Sequence, residues 1–257
     1  MALIAGADGA VALRLGVGML SLQFAIGSAN DLVDAEDDRA VKPHEPIPAG
    51  LVSRRAASAL CVTAAALGLL AAATVGAGAL ILGAIGLADG LLYDLRLKRT
   101  PLAWTAFAAG VGLLPLYAWY GARGSVPTAL PGVVAMAVVA GAALAMANSY
   151  ADLESDRRSG VPSIAVVLGA WETLLVDAAL LALVQVVAVA TTLAIAGPTP
   201  ALLPEGGGCG LAWLAFRFAA ARDDRVRLLV WELQALGILV LGAAWLAVLS
   251  SAGMMGG

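Results

Sequence analysis

Apolar runs of about 20 residues recur along this chain with only short charged islands between them, and that alternation limits what it can fold into. A helical run of that length matches a bilayer's hydrocarbon thickness. In lipid the backbone must satisfy its own hydrogen bonds, so open sheet edges and lipid-exposed loops are excluded. The runs lie roughly at 10–30, 54–74, 77–94, 101–120, 130–151, 171–196, 201–221 and 228–250. They predict an all-α polytopic membrane protein of about eight transmembrane helices, forming one transmembrane domain over 1–257. Composition agrees: 61% of residues are hydrophobic and 13% charged, far from a soluble domain's balance. Abundant Gly and Ala suit helices that must approach closely without a hydrophobic force between them.

The charged islands set the orientation. Arg39, Lys42, Arg54 and Arg55 follow the first run, and Arg96, Lys98 and Arg99 the third. Arg157 and Arg158 follow the fifth, and Arg222, Arg225 and Arg227 the seventh, whereas the opposite loops offer only Arg123. By the positive-inside rule the basic loops face the cytoplasm and both ends of the chain face outward. The first run lacks a basic leader, so no cleavable signal is expected there. A net charge of −3, with no basic stripe, excludes nucleic acid as a partner. Cys61 and Cys209 lie within apolar runs without metal-type spacing and read as packing residues.

Two of the islands repeat a pattern. Asn30, Asp34 and Asp38 are spaced i, i+4, i+8, so three oxygen-bearing side chains share one helical face, with Asp31 beside them. Asn148, Asp152 and Asp156 repeat that spacing four helices later and in the same orientation. This predicts two pseudo-repeated four-helix halves, about 1–129 and 130–257, with both stripes facing one central cavity. Crowded carboxylates destabilise a helix unless a cation neutralises them, so the stripes predict a shared divalent metal. Oxygen ligands at a water-facing helix end suit Mg²⁺, which keeps waters and is commonly completed by substrate phosphates. A metal under a hydrophobic vault implies a substrate with a phosphate head and an apolar tail.

Basic side chains in the same loops could stabilise charge building on a diphosphate leaving group; Arg39, Lys42, Arg96, Lys98, Arg99, Arg157 and Arg158 are candidates, Lys98 foremost. Glu36, Asp37 and Glu154 fall off the stripes and read as solvated. Asp89, Asp177 and Arg217 lie within apolar runs, where ionisable groups are paired or functional, and an Asp177–Arg217 ion pair is expected. His44, in a Pro-rich loop, reads as structural. The Gly206–Gly208 run reads as a flexible connection, since it lacks the strand and Lys of a phosphate loop. Trp104, Tyr117, Trp119 and Tyr120 read mainly as interface markers, some of which could line the cavity.

Asn30-Asp31-x-x-Asp34-x-x-x-Asp38, followed by Lys42-Pro43-x-x-Pro46-Ile47-Pro48-Ala49-Gly50, resembles the first aspartate-rich motif of the UbiA family of intramembrane prenyltransferases. Asp152-x-x-x-Asp156-x-x-x-Gly160, running on to Val166-Val167-Leu168-Gly169, is similar to the second motif, and Tyr93 to Pro101 to the loop between them. The resemblance covers Gly27 to Leu168. It implies a helical bundle with a central cavity, Mg²⁺ held by Asp31, Asp34, Asp38, Asp152 and Asp156, and a polyprenyl diphosphate substrate. Asp34, Asp38, Asp152 and Asp156 would be the catalytic carboxylates, and Asn30, Lys42, Tyr93, Arg96, Lys98 and Asn148 would bind substrate. Ionisation would give an allylic carbocation, captured by an acceptor whose identity the sequence leaves open, as it does homo-oligomerisation.

The chain also departs from the family. Glu45 stands where an Arg is usual, Ala151 where Arg is frequent, and Val161-Pro162 precedes Ser163 without the common basic residue. Eight runs also leave the first of the family's usual nine helices without a counterpart. These losses touch the acceptor and the phosphate grip, and they favour a rival in which a terpene cyclase captures the cation internally. A divalent-cation transporter would place its acids near the midplane rather than at helix ends. A phosphatidyl-alcohol transferase would need a DGxxAR core, which Asp89-Gly90-Leu91-Leu92-Tyr93-Asp94 lacks.

Overall fold

The computed structural model describes residues 1–36, 38–41, 43–198, 202–219 and 224–255, without the side chains of 40, 41, 202–204, 215–219, 224 and 225. Among the described residues the chain is helical. Eight long helices stand where the apolar runs predict them: α1 (Gly9–Asp34), α3 (Arg54–Val75), α4 (Ala77–Leu92), α5 (Ala103–Arg123), α6 (Leu130–Ala151), α9 (Ala170–Ala196), α10 (Leu202–Ala219) and α11 (Asp224–Ser251). Between them lie the short α2 (Asp38–Val41), α7 (Leu153–Ser159) and α8 (Ile164–Leu168), and a π-helical turn over Tyr93–Leu97 that extends α4.

Six of these helices are long and apolar enough to cross a membrane, among the described residues: α1, α3, α4 with its π turn, α6, α9 and α11. Of the eight expected spans, α5 and α10 form helices at the expected positions but fall short of that hydropathy. α5 carries Trp104, Tyr117, Trp119 and Tyr120 and an internal Pro115, and α10 carries Glu205 and three consecutive glycines, all of which lower the mean. The helices turn large apolar side chains outward: Leu20, Phe24, Leu67, Leu70, Ile81, Val186 and Leu239 are all exposed. So greasy an exterior is stable only in lipid, and the chain is an integral membrane protein.

Helix ends follow local chemistry. The Asp8 carboxylate caps α1 by accepting from Val11 N at 2.8 Å, and Ser53 Oγ caps α3 from Ala56 N at 3.1 Å. Gly160, at φ +69°, ends α7 in the left-handed region. α1 packs on α3, α3 on α4, and α4 on α5, while α10 and α11 pack on each other and on α9. The α5–α6 contact joins the earlier helices to the later ones. A core of Trp119, Leu130, Val133, Val184, Leu241 and Trp245 lies beneath that seam.

Close approach explains two glycine pairs. A Cβ on Gly68 would lie 3.0 Å from the Gly18 carbonyl oxygen, and one on Gly208 would lie 2.7 Å from that of Gly237. The Gly206–Gly208 run is thus helical, and its last residue lets α10 meet α11; the expectation of a flexible connection was mistaken because small residues serve packing in lipid as readily as they serve loops.

Candidate active site

The two acidic motifs meet. The end of α1 supplies Asp34 and the start of α2 Asp38, while α6 supplies Asn148 and, with α7, Asp152 and Asp156. All five line one cavity of about 530 Å³, together with Tyr93, Lys98 and Arg99 from the α4–α5 connection. Ala103, Trp104, Phe107, Ala145 and Ile164 form its apolar side. Carboxylates more than a hundred residues apart in sequence thus face one space, but the expected single helical face is not kept. α1 ends at Asp34 and Asp38 opens α2, α6 ends at Ala151 and Asp156 lies on α7, and Asn30 lines the neighbouring chamber.

The π turn builds the basic wall. Its signature is the bond from Lys98 N to the Tyr93 carbonyl at 2.8 Å, five residues back, so Tyr93 and Lys98 return to the same side of the helix. Lys98 Nζ donates to Asn30 Oδ1 at 3.1 Å and forms a hydrogen-bonded ion pair with Asp34. Arg99 Nη2 stands 3.9 Å from Asp34 Oδ1. Asn30 Nδ2 in turn donates to Asp94 Oδ1 at 2.8 Å. One continuous chain of bonds therefore runs from Asp94 through Asn30 and Lys98 to Asp34.

Not every expected residue joins the site. Arg96 is exposed and lines no cavity described here; two residues from Lys98, it points to another face of the turn, and Arg99 stands at the cavity instead. Asp31 is exposed beside the stripe and does not line the cavity, and Lys42 lies outside the described residues, as does Asp37. Glu36 reaches the cavity mouth but pairs with Arg54 at 3.7 Å, and Glu154 pairs with Arg157 at 3.2 Å, as solvated residues would. The expected Asp177–Arg217 pair falls on the Arg217 side chain, which lies outside the described residues; Asp177 Oδ1 accepts from Gln234 Nε2 at 2.8 Å.

Asp94 is the residue that sequence reasoning missed. It is 5% exposed, and its Oδ2 has no hydrogen-bond partner among the described residues. It lies one helical turn beyond Gly90, which faces Ile26 of α1, and so meets Asn30, one turn beyond Ile26; no motif in the sequence marks that pairing of helices. A second, largely apolar chamber of about 370 Å³ adjoins the first, with Tyr93 and Phe107 common to both walls. Leu22, Ile26, Gly86, Asp89, Leu113 and Leu114 are among its lining, and Asn30 and Asp94 stand at its polar end.

On the α7 side, burial pushes the Asp156 carboxyl above the usual carboxylate range. The nearby, buried Ser163 hydroxyl opposes that shift, though it lies outside the geometry of a formed hydrogen bond. Ser149 Oγ accepts from Ala165 N at 3.1 Å and ties α8 to α6, and Arg227 at the start of α11 sits 5.2 Å over the Tyr150 ring. The second motif is therefore held from both sides.

The donor set bears on a metal. Among the described residues no three His, Cys, Asp or Glu side chains come together as an all-protein cage. Mg²⁺ seldom uses such a cage; one or two carboxylates, waters and substrate phosphates suffice, and the carboxylates facing this cavity fit that demand.

The sequence matches the UbiA prenyltransferase family across residues 1–234. The chain belongs to that family. Among UbiA relatives, the digeranylgeranylglyceryl phosphate synthase of Halobacterium salinarum is 37% identical over 167 residues, 63% of this chain and 59% of that protein. The Methanoregula boonei enzyme of the same name is 32% identical over 76% of this chain and 68% of its own length. The chain thus spans about 59% of the Halobacterium relative's length. The apo UbiA homolog of Aeropyrum pernix superposes with a TM-score of 0.73 at 23% identity, covering 93% of both chains. An Archaeoglobus fulgidus UbiA homolog bound to GPP and Mg²⁺ superposes at 0.69 and 17% identity, over 93% of this chain and 89% of that one. These likenesses establish the UbiA fold for this chain.

Proposed function

We propose that this protein is a Mg²⁺-dependent intramembrane prenyltransferase that ionises a polyprenyl diphosphate, passes the prenyl group to an acceptor and releases diphosphate. The observation that carries this reading is a charged cavity and an apolar chamber lying side by side, with Tyr93 and Phe107 in both walls and with carboxylates from both acidic motifs and two cations at the charged end. An amphipathic diphosphate matches that polarity from head to tail. The relatives named as digeranylgeranylglyceryl phosphate synthases, and the homolog bound to GPP and Mg²⁺, support it.

In this reading Asp34, Asp38, Asp152 and Asp156 would hold Mg²⁺, with Asp31 at the edge, and the α1 and α6 ends would bring one carboxylate set from each half of the bundle. When bound, Mg²⁺ would offset the negative charge of the diphosphate. Lys98, already poised between Asn30 and Asp34, turns from Asp34 to the diphosphate oxygens, and Arg99 accompanies it. Their charge stabilises the leaving group as the bond from the prenyl C1 to oxygen breaks. Asn30, Asn148 and Tyr93 position the head. Trp104 and Phe107 exclude water from the allylic cation and present π faces to it. The acceptor's nucleophilic atom then bonds to C1 and loses its proton. The excess of Lys and Arg in the loops at this end supports a cytoplasm-facing cavity.

The test uses the full chain purified in detergent, with Mg²⁺ and prenyl diphosphates of several lengths. The relatives' name makes geranylgeranyl diphosphate and a geranylgeranylglyceryl phosphate acceptor the first pair to try. Prenylated acceptor and diphosphate in equal amounts, lost on chelation and in Asp34→Ala and Asp156→Ala, are the expected result. Terpene hydrocarbon or alcohol formed without acceptor would favour the cyclase, and wild-type turnover in either variant would overturn the assignment.

A further inference from the structure

The apolar chamber has a floor. Beyond it lies a third cavity, also about 370 Å³, lined by Leu3, Ala12, Leu15 and Ala118 at the opposite end of α1 and α5 from the acidic site. The two cavities share Met19, Leu114 and Tyr117. Tyr117 is the largest of the three and only 3% exposed, and its hydroxyl donates to the Leu15 carbonyl at 3.4 Å. Its ring crosses from α5 toward α1, where Gly18 leaves room for the hydroxyl, and it passes beside Gly83 of α4 at ordinary contact distance. A Cβ on Gly18 would lie 2.7 Å from the Tyr117 oxygen, and one on Gly83 would lie 3.6 Å from the ring.

The depth to this floor can be counted twice. Phe107 to Tyr117 on α5 is about 15 Å at the helical rise, and Asn30 to Met19 on α1 is about 16 Å. Both begin where the charged cavity ends. We infer that Tyr117, braced by Met19 and Leu114, sets the longest prenyl tail that the site accepts, and that the third cavity is the space a longer tail would enter if that floor were removed. This rests on the second chamber holding the tail of a prenyl diphosphate.

The same chamber can be shortened from the side. Gly86 on α4 lines it, and a Cβ there would meet nothing within 4 Å, so a larger side chain extends into the chamber without displacing backbone. Floor and side wall therefore make opposite predictions.

The experiment measures affinity of the full chain, with Mg²⁺, for dimethylallyl, geranyl, farnesyl and geranylgeranyl diphosphates, by calorimetry in lipid nanodiscs. Tyr117→Ala should raise the affinity ratio of geranylgeranyl to geranyl diphosphate by about tenfold, the scale expected when about two more methylenes are buried. Gly86→Leu should lower that ratio by about as much. Each variant's folding is followed by its thermal transition, and if Tyr117→Ala does not fold, Tyr117→Leu, which keeps an apolar side chain but shortens the floor, replaces it with the same expected direction. Length profiles parallel to wild type overturn the floor while leaving prenyl diphosphate binding intact. Wild-type protein that binds none of the four overturns both the floor and the proposed function.

Discussion

Lys98 shows how the site is held before substrate arrives. Its ammonium lies among Asn30, Asp34 and the nearby Arg99, so the first acidic stripe carries its own counter-charge. Removing that cation by Lys98→Met should lower diphosphate release by about 10²–10³-fold, the typical effect of losing one charged transition-state donor, while Mg²⁺ still binds. Steady-state release assays with a Mg²⁺ titration separate the two. Asp156 gives a pH prediction. Its raised value means that folding favours the neutral acid, so its ionisation costs no stability below the ordinary carboxylate value of about 4 and a growing penalty as pH climbs through the raised value. The metal–diphosphate selects the carboxylate instead, so binding should weaken on acidification at a pH above that of an ordinary Asp. Diphosphate binding across pH should show this acid limb in wild type and a flatter one in Asp156→Asn. The Asp94→Leu variant leaves Asn30 Nδ2 without its acceptor, a loss of about 1–3 kcal/mol if that amide stays buried and unpaired. Thermal unfolding and affinity for prenyl diphosphate should fall together, since Asn30 also holds Lys98.

Elements meet through glycine and are re-aimed by the π turn. A residue larger than Gly at 68 drives into Leu22 and the Gly18 carbonyl, and Gly68→Leu should cost at least the 1–3 kcal/mol usual for overpacking, read as a fall in the detergent unfolding midpoint. Gly160 combines a positive φ with open space, so Gly160→Val is strained by backbone alone and should loosen α7, and with it Asp156, without any clash. The π turn was invisible to periodicity. Counting by 3.6 puts Arg96 and Lys98 into one undifferentiated basic segment, whereas the extra residue per turn selects Lys98 with Tyr93 and leaves Arg96 outside.

Across the whole molecule, an apolar exterior encloses a charged cavity at one end of the helices. The proposed orientation is checked by single cysteines in a Cys61→Ala, Cys209→Ala background: Arg55→Cys should label only from the cytoplasmic side and Ser125→Cys only from the opposite one, with impermeant reagent on oriented vesicles. The same result would place Asp34 and Asp152 at the inner leaflet.

The sequence by itself determined the long helices, their membrane setting and the two acidic stripes. Those follow from local rules: an apolar run in lipid has little choice but helix, and the spacing of the acids is read directly from the chain, although each stripe proves to be divided between two helices, at Asp34/Asp38 and at Ala151/Leu153. Only tertiary packing could decide that the α1 and α6 ends share a cavity, that Arg99 stands where Arg96 was expected, and that Asp94 is buried against Asn30. It also placed Tyr117 across the gap beside Gly18 and Gly83. Each of these depends on how helices distant in sequence are rotated against one another, and that rotation is set by small residues and one irregular turn.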